Sequence, residues 1–170
     1  LPFWKNLNVT PKILTTFGLI SSVTCLYALI NRKTFLAIIM LCLRWYFDYA
    51  DGLMARKYKM VTVFGDYYDH ITDIIFTLGF IFVILLSKYP KKSNLKFVLI
   101  GLILFFYSMF VFNYSAVELE FFKKNKKETM LSKLRHFAPN NIEFFKYFDN
   151  SVLYLSIIIV IILFCNYNNI

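Results

Sequence analysis

The chain has 170 residues, of which 59% are hydrophobic and 20% aromatic, and its formal net charge is +9. A soluble domain of this length is usually nearer half apolar, and here the excess lies in long runs, so the composition excludes an ordinary soluble domain. The basic charge fits cytosolic loops that face anionic lipid, and without a basic stripe on a reader module nucleic acid is not an expected partner. The cysteines are scattered and odd in number, which predicts neither a disulfide framework nor a zinc site.

Five apolar runs follow one another along the chain, at residues 13–30, 34–50, 71–87, 95–117 and 151–165. Each can form a helix that crosses or nearly crosses a hydrocarbon core about 30 Å thick. Helices are favoured because open strands cannot satisfy their backbone hydrogen bonds in lipid. We therefore predict an all-α fold, a polytopic bundle of five transmembrane helices in a single domain over 1–170.

The polar segment 118–150 is the hardest part of the chain to interpret. Its aromatic residues predict a solvated loop with an interfacial amphipathic helix. A sixth short membrane helix around 136–150 is the alternative.

The basic residues between the apolar runs predict the orientation. With the amino terminus in the cytosol, the cytosolic segments hold twice as many Lys and Arg residues as the opposite segments, although Lys88 to Lys96 argue the other way. Arg44 lies within the second run and counts for neither side. We therefore predict a multi-pass integral membrane protein with its aspartate-rich segment on the cytosolic side.

Five of the six aspartates lie between Asp48 and Asp73, in an otherwise apolar sequence. An acidic side chain at mid-bilayer costs about 2.5–3.5 kcal/mol even on the lenient insertion scale, so such a cluster needs a neutralising partner. Asp48 and Asp51 are three residues apart, and Asp69 and Asp73 are four apart, so each pair shares a helix face. The first pair ends one predicted helix and the second pair opens the next, so four carboxylates can converge.

Four converging carboxylates suit magnesium or manganese, which prefer hard oxygen ligands. Two such ions about 3.5–4 Å apart can bind both the bridging and the leaving oxygens of a phosphoryl group. Gly52 and Ala55 leave room for a ligand beside the acids, and Gly65 allows a sharp turn or a close approach of phosphate to the backbone. Arg56 can pair with phosphate in a forked geometry.

Three further polar residues near the cluster or downstream have weaker signals. Asp66 lies outside the regular spacing and is interpreted as a helix cap. His70 is expected to turn away from the face shared by its neighbouring aspartates. It would then contact the residues that hold the metal, or the head group of the substrate, without binding the metal itself. His136, beside Arg135, is a weaker candidate for a substrate contact.

The aspartate pattern resembles the signature of the CDP-alcohol phosphatidyltransferases. Every fixed position and every gap match over Asp48-x2-Asp51-Gly52-x2-Ala55-Arg56-x8-Gly65-x3-Asp69-x3-Asp73. A second stretch resembles the family's Pro-Asn-x-x-Thr-x2-Gly entry, with Lys12 where Asn is usual: Thr10-Pro11-Lys12-Ile13-Leu14-Thr15-x2-Gly18. The downstream half resembles the family only in being helical and apolar.

The resemblance implies an enzyme that transfers a substituted phosphate from a CDP-alcohol to the hydroxyl of a second alcohol and releases CMP. It also implies six membrane helices, a homodimer and two Mg²⁺ or Mn²⁺ ions at the cytosolic side, whereas this chain shows five clear apolar runs. By the same resemblance Asp73 would also be the base that accepts the hydroxyl proton. The metals would be held by Asp48, Asp51, Asp69 and Asp73. The CDP pocket would be lined by Gly52, Ala55, Arg56 and Gly65.

The identity of the two alcohols is less strongly indicated. The triplet Tyr68-Asp69-His70 resembles the Asp-His of the choline and ethanolamine phosphotransferases, which join a CDP-aminoalcohol to diacylglycerol. The alternative is a CDP-diacylglycerol donor with inositol, serine or glycerol phosphate as the polar acceptor.

Two interpretations without catalysis remain beside the enzyme. A transporter can also place acids in its membrane core, but it would more often interrupt a helix near the midplane, and none of the five runs carries a central Pro. An inert membrane scaffold that keeps the motif without turnover is the other interpretation.

Overall fold

A computed structural model of the protein describes residues 2–88, 93–125, 136–139, 142–145 and 147–166. Throughout these residues the regular structure is helical and no strand is found, which confirms the predicted all-α fold class. In chain order the helices are α1 (Pro2–Asn6), α2 (Pro11–Ile30), α3 (Thr34–Lys57), α4 (Val63–Leu86), α5 (Ser93–Asn125), α6 (Ile142–Phe145) and α7 (Asn150–Asn166).

Each predicted apolar run corresponds to one of the longer helices, α2, α3, α4, α5 and α7. Three segments of the described chain are long and apolar enough to cross a membrane: Pro11–Ile30, Tyr67–Leu86 and Asn94–Val117. The shorter α7 is also apolar, whereas α3 combines its apolar run with charged residues. The described chain is therefore an all-α membrane protein.

The helix boundaries differ from the prediction around the polar segments. Residues 51–70 lie between two of the predicted apolar runs, but α3 continues to Lys57 and α4 begins at Val63, so a five-residue turn joins them. Helix α5 likewise continues past 117 to Asn125. Among the described residues from 136 to 149, the one α-helix is the four-residue α6, which is too short to cross a membrane; residues 126–135 lie outside the described part.

Helices α2 and α3 form an antiparallel hairpin. Thr15 of α2 contacts Asp51 of α3, and farther along the hairpin the Cys25 thiol lies 3.4 Å from the carbonyl oxygen of Ala37. The partner number on α3 falls as the number on α2 rises, which is the register of antiparallel helices. Close packing needs small residues, and a Cβ atom added at Gly18 would lie 3.7 Å from Phe47 Cβ.

Helix α4 runs parallel to α2 and antiparallel to α3. The hydroxyl oxygens of Thr16 and Tyr68 lie 3.2 Å apart. Ten residues farther along α2, Leu26 packs against Gly79 so closely that an added Cβ atom would lie 2.8 Å from its Cδ1. Three helices thus run side by side, and the end of α3 meets the start of α4.

Three helix ends close with the same backbone arrangement. Asn8, Arg32 and Lys59 follow α1, α2 and α3 with φ angles of 53°, 55° and 56°. In each case the amide of this residue donates to the carbonyl three residues back, and the next amide donates five residues back. This is the Schellman arrangement, which usually uses glycine because a left-handed conformation costs other L-residues about 1–2 kcal/mol.

The short helix α1 packs on the hairpin near the aspartates. Trp4 Nε1 donates to the hydroxyl of Tyr46 at 3.0 Å, and the Trp4 ring lies 6.2 Å from that of Phe47. Beneath it, a small apolar cluster of Leu14, Ala50 and Met54 joins α2 to the last turns of α3. The helix therefore stabilises the end of the hairpin that carries the acids.

The chain divides into two compact units, residues 1–92 with 161–170 and residues 93–160. In the second unit the amide nitrogen of Asn113 on α5 donates to the carbonyl oxygen of Phe145 at 2.8 Å. The Phe112 and Phe145 rings meet at 5.4 Å, which ties α6 to α5. The four motif aspartates, His70 and the expected CDP-pocket residues belong to the first unit, whereas the weaker candidate His136 belongs to the second.

Candidate active site

The site is built where α3 ends and α4 begins. Asp48 and Asp51 lie in the last three turns of α3, and Asp69 and Asp73 lie in the first three turns of α4. The start of α4 is capped by Thr62, whose hydroxyl oxygen accepts the Gly65 amide at 3.0 Å. The prediction of Asp66 as the cap is therefore wrong, because the helix begins at Val63 and Asp66 is already inside its first turns.

On α4, Asp69, Asp73 and His70 form a group with potential for metal binding. One ligand atom from each of these three side chains lies within 4.8 Å of the other two. The expectation that His70 turns away from the aspartates is wrong. Residues 70 and 73 are three apart on a helix, so they share a face in the same way that residues 69 and 73 do.

The four aspartates of the motif lie in electrostatic range of one another. Asp69 is repelled by Asp48, Asp51 and Asp73, and Asp73 is repelled by both acids of α3. Asp51 is only 4% exposed, and it accepts a hydrogen bond from the hydroxyl of Thr15. Four carboxylates this close, one of them buried, favour a bound cation.

The carboxylate oxygens of the site suit a hard divalent cation. Carboxylate oxygens are the ligands that magnesium and manganese prefer, and the surplus negative charge of the cluster attracts them. The group on α4 brings two carboxylates and an imidazole together without a change of backbone. The side chains of this group could therefore hold a divalent cation.

Arg44 is a site residue that lies outside the aspartate motif. It is 3% exposed inside the apolar part of α3, and its guanidinium forms an ion pair with Asp73. Two features of the sequence indicate a role for Arg44. It lies four residues before Asp48, on the same helix face. It is also an ionisable residue within a predicted membrane helix, which makes it a functional candidate by default. Thr15 was noted only as part of the resemblance, and its contact with Asp51 follows from the hairpin register.

The expected CDP-pocket residues occupy the end of α3 and the start of α4. The Arg56 guanidinium folds back over Gly52, where an added Cβ atom would lie 3.3 Å from both terminal nitrogens. Ala55 is half-buried beside them. Gly65 does not make the sharp turn that was one of its expected uses, since it has no positive φ angle and lies inside α4; an added Cβ atom there would lie 2.9 Å from the Thr62 hydroxyl oxygen.

Aromatic and basic side chains surround the same end of the helices. The rings of Phe64 and Tyr68 are stacked, with centroids 6.1 Å apart and planes 11° apart. The ammonium of Lys12 lies 4.8 Å from the centre of the Phe64 ring, and the hydroxyls of Thr16 and Tyr68 are 3.2 Å apart. This rim joins the start of α2 to the start of α4 beside Asp69.

The chain matches a known protein family over most of its length. A family model described as CDP-alcohol phosphatidyltransferase matches residues 8–165, which is most of the chain. Searches of curated proteins and of solved structures found no match to the chain. The match includes all four motif aspartates and the helices that carry them.

Proposed function

Because the chain belongs to the CDP-alcohol phosphatidyltransferase family, we propose that it transfers phosphocholine or phosphoethanolamine from the CDP-aminoalcohol to diacylglycerol. The family consists of phosphotransferases of phospholipid synthesis, which move a substituted phosphate from a CDP-alcohol to an acceptor alcohol. The observation that carries the proposal is the convergence of the four motif aspartates at the adjoining ends of α3 and α4.

The acids of the site would hold the metal ions, and we propose two of them, Mg²⁺ or Mn²⁺. The four ligands are Asp48, Asp51, Asp69 and Asp73. When bound, the ions neutralise the diphosphate and stabilise the charge that develops on the departing CMP. The 4.8 Å grouping of acidic and imidazole atoms on α4 supports this assignment.

The side chains themselves bind the donor and move the proton. Arg56 pairs with a phosphate of the CDP group, and Gly52 and Ala55 leave space for that phosphate beside the helix. The acceptor oxygen attacks the phosphorus that bears the aminoalcohol, the bond from that phosphorus to CMP breaks, and Asp73 takes the hydroxyl proton. The position of Asp73 within the group of ligand atoms on α4 supports this role, because an acceptor hydroxyl held at that group would lie close to its carboxylate.

The choice of an aminoalcohol rests on the rim of the site. A cationic amine or quaternary ammonium is stabilised over aromatic ring faces and near carboxylates. The stacked Phe64 and Tyr68 rings belong to the turn of α4 that directly precedes Asp69 and His70 in the chain. These groups together suit the positive end of choline or ethanolamine.

A CDP-diacylglycerol donor with a polar acceptor is the second candidate, and Lys12 is the observation that favours it. Its ammonium lies over Phe64, at the same rim. A cation in this position suits an anionic acceptor such as glycerol phosphate. Inositol and serine belong to the same set of acceptors and are tested with it.

The orientation and the assembly state are further parts of the proposal. The bias of basic residues supports a multi-pass topology with the site on the cytosolic side. Labelling of single cysteines introduced at Lys59 and at Lys33, from each side of sealed vesicles, tests this orientation. The homodimer stays a prediction that cross-linking in the membrane tests.

The decisive test is release of CMP by the purified protein in lipid micelles with Mg²⁺ or Mn²⁺. CDP-choline and CDP-ethanolamine with diacylglycerol form one set, and CDP-diacylglycerol with inositol, serine or glycerol phosphate forms the other. We expect turnover in the first set, and loss of turnover in Asp73→Asn. Asp66→Asn is the matched control, because it makes the same change on the same helix outside the motif.

The other outcomes separate the remaining interpretations. Turnover confined to the second set would replace the aminoalcohol assignment with the CDP-diacylglycerol one. No CMP from either set, in protein with an intact thermal transition, would contradict the enzyme assignment and favour an inert scaffold or a transporter.

A further inference from the structure

Arg44 is a permanent positive charge buried in the middle of three packed helices. It is 3% exposed, within the apolar part of α3. Burial of a charged side chain costs free energy unless protein partners replace the water that it loses. We therefore expect the contacts of Arg44 to have a structural or functional role. The family motif as carried by this chain begins at Asp48 and does not include it.

Its guanidinium is held by both helices that pack against α3, namely α4 and α2. On α4, Nη2 forms an ion pair with Oδ1 of Asp73, and the Phe76 ring lies 4.5 Å from Cζ. On α2, Ser22 Oγ accepts a hydrogen bond from Nη1 at 2.7 Å. The Ser22 hydroxyl donates to the carbonyl oxygen of Gly18 at 2.8 Å, which turns its oxygen lone pairs toward the arginine.

These contacts fix the conformation of Asp73. A carboxylate bound through Oδ1 to a guanidinium that is itself held by Ser22 and Phe76 is confined to one rotamer. Oδ2 is then the oxygen left for a ligand or a hydroxyl proton. The arginine also brings one positive charge into a cluster of four carboxylates. In the same conformation, one carboxylate oxygen of Asp73 lies within 4.8 Å of the ligand atoms of Asp69 and His70.

We infer that Arg44 is a positioning residue of the transfer site, which clamps Oδ1 of Asp73 so that this aspartate acts through Oδ2. The inference rests on the proposed function for its consequence in turnover. It goes beyond that function because it assigns a task to a residue outside the motif. It also predicts that charge at this position acts on metal binding and on turnover in opposite directions.

The opposite directions follow from electrostatics and geometry. Replacement of Arg44 by Met removes a positive charge beside the ligands and releases Oδ1, so a divalent cation binds more tightly. The same change lets Asp73 rotate or bind a metal through both oxygens, so the reacting geometry is lost. A merely structural role predicts instead that metal binding and turnover weaken together.

The test compares Arg44→Met and Arg44→Lys with the wild-type protein. Mn²⁺ affinity is measured by electron paramagnetic resonance titration, and kcat and KM are measured by CMP release. For Arg44→Met we expect Mn²⁺ to bind about two- to tenfold more tightly, kcat to fall at least about tenfold, and KM for the CDP-alcohol to change less than threefold. Arg44→Lys restores at least part of kcat, because its ammonium can reach Asp73 but cannot also hold Ser22.

The outcomes against the inference are distinct from those against the proposed function. It is overturned when Arg44→Met keeps kcat within twofold of the wild type, or when Mn²⁺ affinity in that variant is unchanged or weaker. Wild-type protein that releases no CMP contradicts the proposed function, and the Mn²⁺ titration then still decides whether Arg44 offsets the carboxylates. Ser22→Ala removes one contact of the clamp and is expected to shift both quantities in the same directions by a smaller factor.

Discussion

The two ends of the α2, α3 and α4 bundle use small residues for opposite purposes. At the site end, which holds Asp51, Gly52 and Asp69, the gap beside the glycine is filled by the guanidinium of Arg56, a group that can swing away. At the packing end, which holds Cys25, Leu26 and Gly79, the gap is filled by Leu26 itself. A glycine therefore lies against a flexible charged side chain at one end and allows helices to touch at the other.

The two ends of the bundle also differ in polarity. The site end contains the buried Asp51 with its Thr15 partner, and its carboxylates repel one another. The packing end is lined by fully buried apolar residues, among them Leu29, Ala37 and Ile84. We expect changes at the site end to alter activity with little loss of stability, and changes at the packing end to do the reverse.

The largest effect is expected for Asp69→Asn at the site end. CMP release falls by more than about 100-fold, because even residues that only orient a metal ligand cost about 10–100-fold when they are changed. Melting in EDTA shifts to higher temperature, since one of four repelling charges is gone, and stabilisation by Mn²⁺ is lost. Calorimetry with and without Mn²⁺ and the CMP assay measure these effects.

Asp149→Asn is the matched control for that prediction. Asp149 accepts the amide of Ser151 at 3.0 Å before α7, and asparagine makes an equally good cap, so neither activity nor metal stabilisation changes. Retention of more than a tenth of the activity by Asp69→Asn would contradict a role for this residue in the metal site.

The next effect is expected for Gly79→Val at the packing end. The new side chain collides with Leu26, and overpacking of a tight contact costs about 1–3 kcal/mol of unfolding free energy. The kcat of the protein that remains folded is unchanged. Thermal melts in detergent and active-site-normalised turnover separate the two quantities.

A second substitution checks the cause of that destabilisation. In Gly79→Val combined with Leu26→Ala the collision is removed, and most of the lost stability returns. A fall in normalised kcat as large as that of a site variant would erase the contrast between the two ends.

A smaller effect is expected for Gly52→Ala at the site end. The new methyl group displaces the Arg56 guanidinium, so we expect KM for the CDP-alcohol to rise about tenfold. In free energy this rise is part of the roughly 1.5–3 kcal/mol that a hydrogen bond to a charged group contributes. Melting temperature stays the same or rises, because alanine favours a helix over glycine by about 0.5–1 kcal/mol.

Gly101→Ala on α5 provides the comparison for Gly52→Ala. An added Cβ atom at Gly101 meets nothing within 4 Å, so the helix gains the same propensity with no effect on KM. An unchanged KM in Gly52→Ala would separate Arg56 from binding of the donor.

The smallest effect is expected for Lys59→Gly in the turn between α3 and α4. Lys59 has a φ angle of 56°, a left-handed conformation that strains any residue with a Cβ atom. Glycine removes this strain, although it also increases the entropy of the unfolded chain, so we expect the free energy of unfolding to rise by roughly 0.5–1 kcal/mol. Asn8→Gly gives a smaller gain, since asparagine tolerates this conformation better. Thermal melts rank the two variants, and the opposite ranking would contradict the argument.

The sequence determined the fold class and the motif of this protein by local rules. Apolar runs long enough for a membrane predict helices, and all five runs are helical. Spacings of three and four predict that Asp48 and Asp51 share one face, and Asp69 and Asp73 another. The same rule, applied to residues 70 and 73, would have placed His70 beside the aspartates. The positions of the helix ends were harder to predict, because α3 and α4 extend through polar residues that composition alone places outside the apolar runs.

Only the tertiary structure decided which distant side chains meet. The pairing of Arg44 with Asp73, of Thr15 with Asp51, and of Arg44 with Ser22 depends on the register between helices. That register is set by the turns after α2 and α3, where residues other than glycine adopt left-handed conformations, and by close contacts such as the one at Gly79. Periodicity along one helix determines its faces, but the contact between two faces depends on packing that no single segment encodes.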